Sequence, residues 1–292
     1  MPNTETLTHT LPATVTTRDG LRLALRHWPL PAGVTPRGVV CLVHGLGEHT
    51  GRYAHVAAHL NDWGWAVVGH DQRGHGRSEG PPGRLRRSDD LLVDLALVID
   101  TLRSAYPRER LLMIGHSLGG LVASRFVAAL AQPRESASWV RPVDALVLSS
   151  PALDPGLNAA QKLLLATVGR LAPDLPVSNG LRPEWVSNDP AVVQAYVNDP
   201  LVHDRATGRL TQFLLDGSER VMQRAPQWAT PTLLIYAGAD RCVQAAGSAR
   251  FSALAPTRRV ATHVYPRMAH EIFNEPDQSQ VFADLARWLD TL

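Results

Sequence analysis

The 292-residue chain is long enough for one large domain or two small ones, and its 45% hydrophobic residues are ample for a core. The formal net charge is +2, from 29 basic and 27 acidic residues, and the basic residues are scattered along the chain. Nucleic acids are bound by concentrated positive charge, so we expect no nucleic-acid partner.

Compartment and membrane signals are weak in this sequence. The first 15 residues carry neither a basic leader nor an apolar stretch of signal-peptide length, and no run in the chain approaches a membrane span. Cys41 falls in a predicted buried strand and Cys242 follows a late one, so we expect two free thiols. These features favour a cytoplasmic protein. The oligomeric state stays open.

The first half of the chain alternates between strand and helix patterns. Two alternating runs, Thr14–Arg18 and Leu21–Trp28, flank Asp19 and Gly20, which predicts a β-hairpin at the edge of a sheet. Continuous apolar runs then predict buried strands and one-sided apolar stripes predict helices, in turn over Gly38–Val43, Ala54–Trp63, Ala66–Gly69, Leu91–Tyr106, Arg110–Ile114, Leu121–Leu130 and Val143–Ser149. This alternation predicts an α/β fold with a mostly parallel, doubly wound sheet.

One charged loop, His70–Ser78, follows a predicted strand. Loops at this edge of a parallel sheet often carry function. An aspartate close to an arginine is more often a structural ion pair, and we assign Asp71 and Arg73 to a pair that fixes the turn.

A serine lies on a short turn between a strand and a helix, in the sequence Gly115-His116-Ser117-Leu118-Gly119. A serine on so sharp a turn adopts strained backbone geometry, and glycines two positions to either side avoid clashes there. The start of the following helix directs free N–H groups at an oxyanion. The pattern predicts that Ser117 is a nucleophile.

The loop after the first parallel strand, His44–His49, is predicted to supply a second N–H donor to the same oxyanion. Glycines at 45 and 47 allow a tight turn, and we expect the Leu46 N–H to form an oxyanion hole with the Leu118 N–H. His44 and His49 have no carboxylate or cysteine cluster at ligand spacing nearby, so we expect no metal ion.

The alternation stops between about residues 152 and 224. An unusually apolar helix is predicted over Leu157–Leu171, and prolines 173, 176, 183, 190 and 200 then divide the segment into short pieces. We expect a cap over residues 152–224 without strands of its own, inserted into a core of residues 1–151 and 225–292. The apolar helix either packs on the core, lines an acyl pocket or contacts a lipid surface.

The core resumes with a strand over Thr232–Ala237, and Asp240 follows it. A last strand over Val260–Tyr265 leads to His270, and a final helix closes the sheet. The order serine, aspartate, histidine places Asp240 as the acid that orients the imidazole and His270 as the general base.

The chain resembles the monoacylglycerol lipases of the α/β-hydrolase superfamily and their lysophospholipase-like relatives. The similar stretches run through nearly the whole chain: His44–Tyr53, Gly69–Ser78, Gly115–Gly120, Ser150–Leu153, Asp199–Val202, Gly238–Val243 and His270–Glu275. The resemblance implies the triad Ser117, Asp240 and His270, with Leu46 and Leu118 in the oxyanion hole. It gives no assignment for cap residues that contact substrate.

These observations and the resemblance predict that the protein is a serine esterase, which needs no cofactor and cleaves monoacylglycerols through an acyl-enzyme. A lysophospholipase, or a carboxylesterase for short soluble esters, would use the same chemistry. A catalytically silent module that binds a lipophilic ligand is the alternative from another class. The aspartate nucleophile of dehalogenase and epoxide hydrolase relatives is replaced here by Ser117.

Overall fold

The computed structural model describes residues 11–130, 137–157, 167 and 171–292. Within these residues ten strands follow in chain order: β1 Thr14–Thr16, β2 Arg22–Trp28, β3 Gly38–Val43, β4 Trp65–His70, β5 Arg110–His116, β6 Ala145–Ser149, β7 Val177–Ser178, β8 Arg205–Ala206, β9 Thr232–Ala237 and β10 Val260–Tyr265. Eight of them form one sheet in the order β1-β2-β4-β3-β5-β6-β9-β10. The pairs β1/β2 and β2/β4 are antiparallel and the others are parallel.

Seven α-helices lie within the described residues. They are α1 Ala54–Asp62, α2 Asp90–Ala105, α3 Ser117–Leu130, α4 Pro190–Asn198, α5 Gly208–Arg224, α6 Ala245–Leu254 and α7 Gln278–Leu289. Among them, α1, α2, α3 and α7 cover the two faces of this sheet. Alternate residues of β3 belong to two separate apolar clusters: Val39 and Cys41 pack with α2 and α3, whereas Val40 and Leu42 pack with α1 and α7. A strand buried on both faces reads as a continuous apolar run. The predicted doubly wound α/β sheet is confirmed.

Four loops leave the carboxyl ends of the parallel strands at one edge of the sheet. The loop after β3 carries Leu46, the turn after β5 carries Ser117, the loop after β9 carries Asp240, and the loop after β10 carries His270. Parallel strands point their carboxyl ends the same way, so residues far apart in sequence meet at this edge.

The segment between β6 and β9 differs from the prediction in one respect. Two short strands, β7 and β8, pair antiparallel within it, with Val177 opposite Ala206. The expectation of a segment without strands was wrong, because a strand of two residues has no alternation that a sequence pattern can reveal. The helix predicted over Leu157–Leu171 lies outside the described residues, apart from residues 157, 167 and 171.

The structural role predicted for Asp71 and Arg73 is confirmed, but the two side chains bond other partners and form no ion pair with each other. Asp71 accepts hydrogen bonds from the backbone and hydroxyl of Thr50, at 2.9 and 2.6 Å. Arg73 instead bonds Asp94 at 2.6 Å and Asp90 at 2.9 Å. These two neighbours in sequence bond different partners, because each side chain contacts a different part of the chain that packs against the loop.

Both cysteines, Cys41 and Cys242, are buried and free, as predicted. In the part of the chain that the structure describes, we find no helix with the length and hydropathy that crossing a membrane requires.

Candidate active site

Ser117 is the first residue of α3 and has a backbone φ of +53°. Left-handed backbone is unfavourable for a residue with a side chain, so the turn holds the serine under strain. A Cβ added to Gly115 would lie 2.5 Å from the Gly119 carbonyl oxygen, and one added to Gly119 would collide with the carbonyls of Val43 and His44. Both glycines are therefore required by the close packing of strand, turn and helix.

Asp240 and His270 meet beneath this turn. His270 Nδ1 donates to Asp240 Oδ2 at 2.6 Å, and their side chains are only 6% and 1% exposed. Asp240 Oδ1 accepts two backbone N–H bonds, from Cys242 at 2.8 Å and from Val243 at 3.0 Å. The carboxylate is thus held in one orientation and fixes the tautomer of the imidazole.

Burial opposes protonation of His270, but the charge and hydrogen bond of Asp240, with further attraction from Glu271 and Glu48, raise its pKa above 6.5. His116 lies beside it, with 4.7 Å between the ring centroids. Burial and the neighbouring His270 lower the pKa of His116 to about 4, so His116 is neutral near pH 7. The surroundings therefore favour an imidazolium at His270 specifically.

Two cavities meet at Ser117. One, of about 400 Å³, is lined by Leu46, Ser117 and His270 together with charged side chains that include Glu48, Asp199 and Asp204, and we call it the polar cavity. The other, of about 280 Å³, is mostly apolar. Five residues line both cavities: Leu46, Ser117, Asn179, Leu181 and Cys242. The apolar residues that line only the second cavity are Leu118, Ala152, Pro155, Leu157, Ala172, Leu175, Val177, Ala206, Leu214 and Val243.

The structure thus brings all five residues singled out from the sequence to one place. Ser117, Leu46 and His270 face the polar cavity, Leu118 faces the apolar cavity, and Asp240 lies behind the imidazole.

Comparisons with known proteins fit this geometry. The family model described as "Serine aminopeptidase, S33" matches residues 34–277. The chain belongs to that family. A monoacylglycerol lipase of Mycolicibacterium smegmatis is 34% identical to it over 273 residues, which cover 92% of this chain and 93% of the relative.

Solved structures agree with this family membership. The monoacylglycerol lipase of Paleococcus ferrophilus superposes with a TM-score of 0.78 at 32% identity, covering 91% of this chain and 98% of that one. A soluble variant of the Saccharomyces cerevisiae monoglyceride lipase gives a TM-score of 0.82 at 22% identity, over 100% and 99% of the two chains, which supports the fold alone. The α/β-hydrolase fold predicted from the sequence is confirmed, and this family member is a carboxylic ester hydrolase.

Sequence reasoning missed a buried charged network at the floor of the polar cavity of this hydrolase. Glu48 accepts hydrogen bonds from the Gly45 N–H at 2.6 Å and from Arg52 at 2.9 Å. Arg52 also forms a two-bond salt bridge with Glu271, at 2.6 and 2.7 Å. Burial opposes ionisation of Glu48, but Arg52 and nearby imidazoles hold its pKa well below the usual value. The signal in the sequence was an acid three residues after Gly45, and nothing in the pattern linked it to Glu271.

The histidines of the loop after β3 are bonded within the protein. His44 accepts from the Gln72 N–H at 2.9 Å, and His49 bonds Asp199 at 2.8 Å. Among the described residues, the one group with ligand atoms close enough for a metal is Asp240, Cys242 and His270, all within 4.8 Å of one another. Both Asp240 oxygens already accept hydrogen bonds, so these side chains fit a histidine-carboxylate pair better than a metal centre.

Proposed function

We propose that the protein hydrolyses monoacylglycerols to fatty acid and glycerol, with Ser117 as nucleophile, His270 as general base and Asp240 as the acid that orients the imidazole. The observation that carries the proposal is the position of Ser117 where a polar and an apolar cavity meet. A substrate with one acyl chain and one polar alcohol matches that arrangement.

The proposed reaction begins when His270 takes the proton from Ser117 as the serine oxygen attacks the ester carbonyl. The N–H groups of Leu46 and Leu118 would stabilise the oxyanion, at roughly 3 to 4 kcal/mol per donor. The imidazolium at His270, favoured by Asp240, then gives its proton to the leaving glycerol. Water, activated by the same imidazole, releases the fatty acid from the acyl-enzyme.

We further assign residues 152–224 to a cap over the core of residues 1–151 and 225–292. Leu175, Val177 and Leu214 come from this segment and line the apolar cavity, where they would contact the acyl chain. Cap residues Tyr196 and His203 line the polar cavity, on the side where the glycerol would lie. Both halves of the substrate would therefore be bound partly by the cap.

Contact between the cap and a lipid surface also belongs to this proposal. Leu171 is 89% exposed, and Leu175 and Val177 are about half exposed beside the apolar cavity. Such residues favour transfer of the acyl chain from a membrane into the cavity. Co-sedimentation with vesicles should weaken when Leu171 and Val177 are both replaced by serine, and equal binding would remove this support.

The experiment that tests the proposal is a substrate panel. Monoacylglycerols, lysophospholipids, short p-nitrophenyl esters and aminoacyl anilides are offered to the wild-type protein, to Ser117→Ala and to a control, Ser124→Ala. Ser124 lies on the same helix and bonds the Gly120 carbonyl.

We expect the fastest turnover with monoacylglycerols, loss of activity in Ser117→Ala and near wild-type rates in Ser124→Ala. Preference for lysophospholipids or short esters would overturn the substrate assignment but keep the mechanism. Cleavage of anilides alone would indicate a peptidase. Full activity in Ser117→Ala would overturn the mechanism, and no turnover of any substrate would favour the binding module.

A further inference from the structure

Glu271 directly follows His270, and the reaction described above does not use it. Its side chain is 7% exposed, and both carboxylate oxygens accept from the guanidinium of Arg52. Asn274 donates to the same carboxylate at 2.8 Å. Two parallel bonds between a guanidinium and a carboxylate fix both distance and orientation. Glu271 is therefore held rigidly, one residue from the proposed base.

Arg52 connects this carboxylate to the loop that carries Leu46. Its Nη1 donates to Glu48 at 2.9 Å, and the opposite oxygen of Glu48 accepts from the Gly45 N–H at 2.6 Å. Tyr53 donates to that same oxygen at 2.5 Å. The residue before Leu46 and the residue after His270 are thus joined through two carboxylates and one guanidinium.

Burial of this network contributes little net stability, because desolvation of the charges offsets most of their attraction. What the network does provide is a fixed separation between two loops that arise from different strands. It also leaves one excess negative charge near His270, because two carboxylates share one guanidinium. That charge favours the imidazolium that forms in the transition state.

We propose that Glu271 is a positioning residue of the hydrolysis, which holds the His270 loop against the Leu46 loop through its salt bridge with Arg52. The inference rests on the proposed function, because it takes His270 as the base and Leu46 as an oxyanion donor. A displacement of about 1 Å between such groups lowers the rate by up to about 100-fold.

The test is a set of pH–rate profiles for Glu271→Gln, with Glu79→Gln as the matched control. Glu79 forms an exposed two-bond salt bridge with Arg22, away from both cavities. We expect kcat to fall about 10- to 100-fold in Glu271→Gln, with a much smaller change in KM, and to remain unchanged in the control.

The acid limb of kcat/KM provides the readout that a merely structural role would not move. The charged and titratable groups around His270 come from five parts of the chain. Four belong to the core: Asp240 and Cys242 after β9, Glu48, Arg52 and Tyr53 after β3, His116 at the end of β5, and Glu271 itself. The fifth is the cap, whose Arg182, Tyr196, Asp199, His203 and Asp204 line the same cavity as His270. Removing the Glu271 charge leaves Arg52 less compensated, and both effects lower the pKa of His270. We expect the acid limb to move down by about 0.5 pH unit or more.

A second variant keeps the test decisive if Glu271→Gln fails to fold. Arg52→Gln/Glu48→Gln/Glu271→Gln removes all three charges of the network, so that neither an arginine nor a carboxylate is left buried without its partner. We expect it to fold with a low kcat. Wild-type kcat in this triple variant would overturn the inference. So would a kcat and an acid limb in Glu271→Gln equal to those of Glu79→Gln. Activity retained in Ser117→Ala would instead overturn the proposed function.

Discussion

Replacing Gly115 with alanine tests the claim that close packing at the serine turn holds the site together. The added Cβ would lie 2.5 Å from the Gly119 carbonyl oxygen and 2.9 Å from Gly120 Cα, both backbone atoms. Ordinary contact requires more than 3 Å, so the strand and helix must separate by about 0.5 to 1 Å. We expect a loss of about 1 to 3 kcal/mol in the free energy of unfolding. The displaced Ser117 should lower kcat by about 10- to 100-fold.

Gly217→Ala is the matched control for this substitution. Gly217 lies inside α5, and its added Cβ would meet Leu121 at 3.4 Å, an ordinary contact. Alanine is favoured over glycine within a helix, so we expect unchanged kcat and equal or slightly higher stability. Urea unfolding and ester hydrolysis measure both quantities. A Gly115→Ala protein with the stability and kcat of the Gly217→Ala control would refute the packing argument.

Three further predictions follow from the same geometry. Asp240→Asn should fold normally but lose about 10³- to 10⁴-fold in kcat, because an amide no longer fixes the tautomer of His270. A smaller loss of kcat in ester hydrolysis would contradict this role. The acid limb of kcat/KM in the wild-type protein should have its midpoint above pH 6.5, since the pKa of His270 is raised and only the neutral imidazole accepts a proton; a midpoint below 6.5 would contradict that sign. Arg73→Met should lower the free energy of unfolding by about 3 to 5 kcal/mol, because it leaves Asp94 and Asp90 without their buried cation. An unchanged urea midpoint would show that these two ion pairs do not stabilise the fold.

The sequence was sufficient to predict the sheet because its strands are buried on both faces. Runs such as Gly38–Val43 and Thr232–Ala237 are continuously apolar, and their bounds agree with the structure. The turn at Ser117 could also be predicted from the sequence, since the glycines that its packing requires occur at fixed positions around it. Local constraints of this kind leave a local pattern.

Contacts between distant residues left no such pattern. The strands β7 and β8 have only two residues each, so neither has a periodicity of its own, and their paired residues are 27 and 29 positions apart. Arg52 and Glu271 are separated by 219 positions, and only the fold brings them together. Arg73 similarly finds Asp94 on α2 rather than its neighbour Asp71. The partner of a charged side chain depends on which helices and loops pack together, and this cannot be inferred from a local sequence pattern.

Labelling by a fluorophosphonate probe, with the modified residue located by mass spectrometry, tests the central claim most directly. Such probes phosphonylate an activated serine, and activation requires the neighbouring base and oxyanion donors. We predict a single adduct on Ser117 in the wild-type protein, no adduct in Ser117→Ala, and much slower labelling in Asp240→Asn. An adduct on another residue, or equal labelling of Ser117→Ala, would contradict the account.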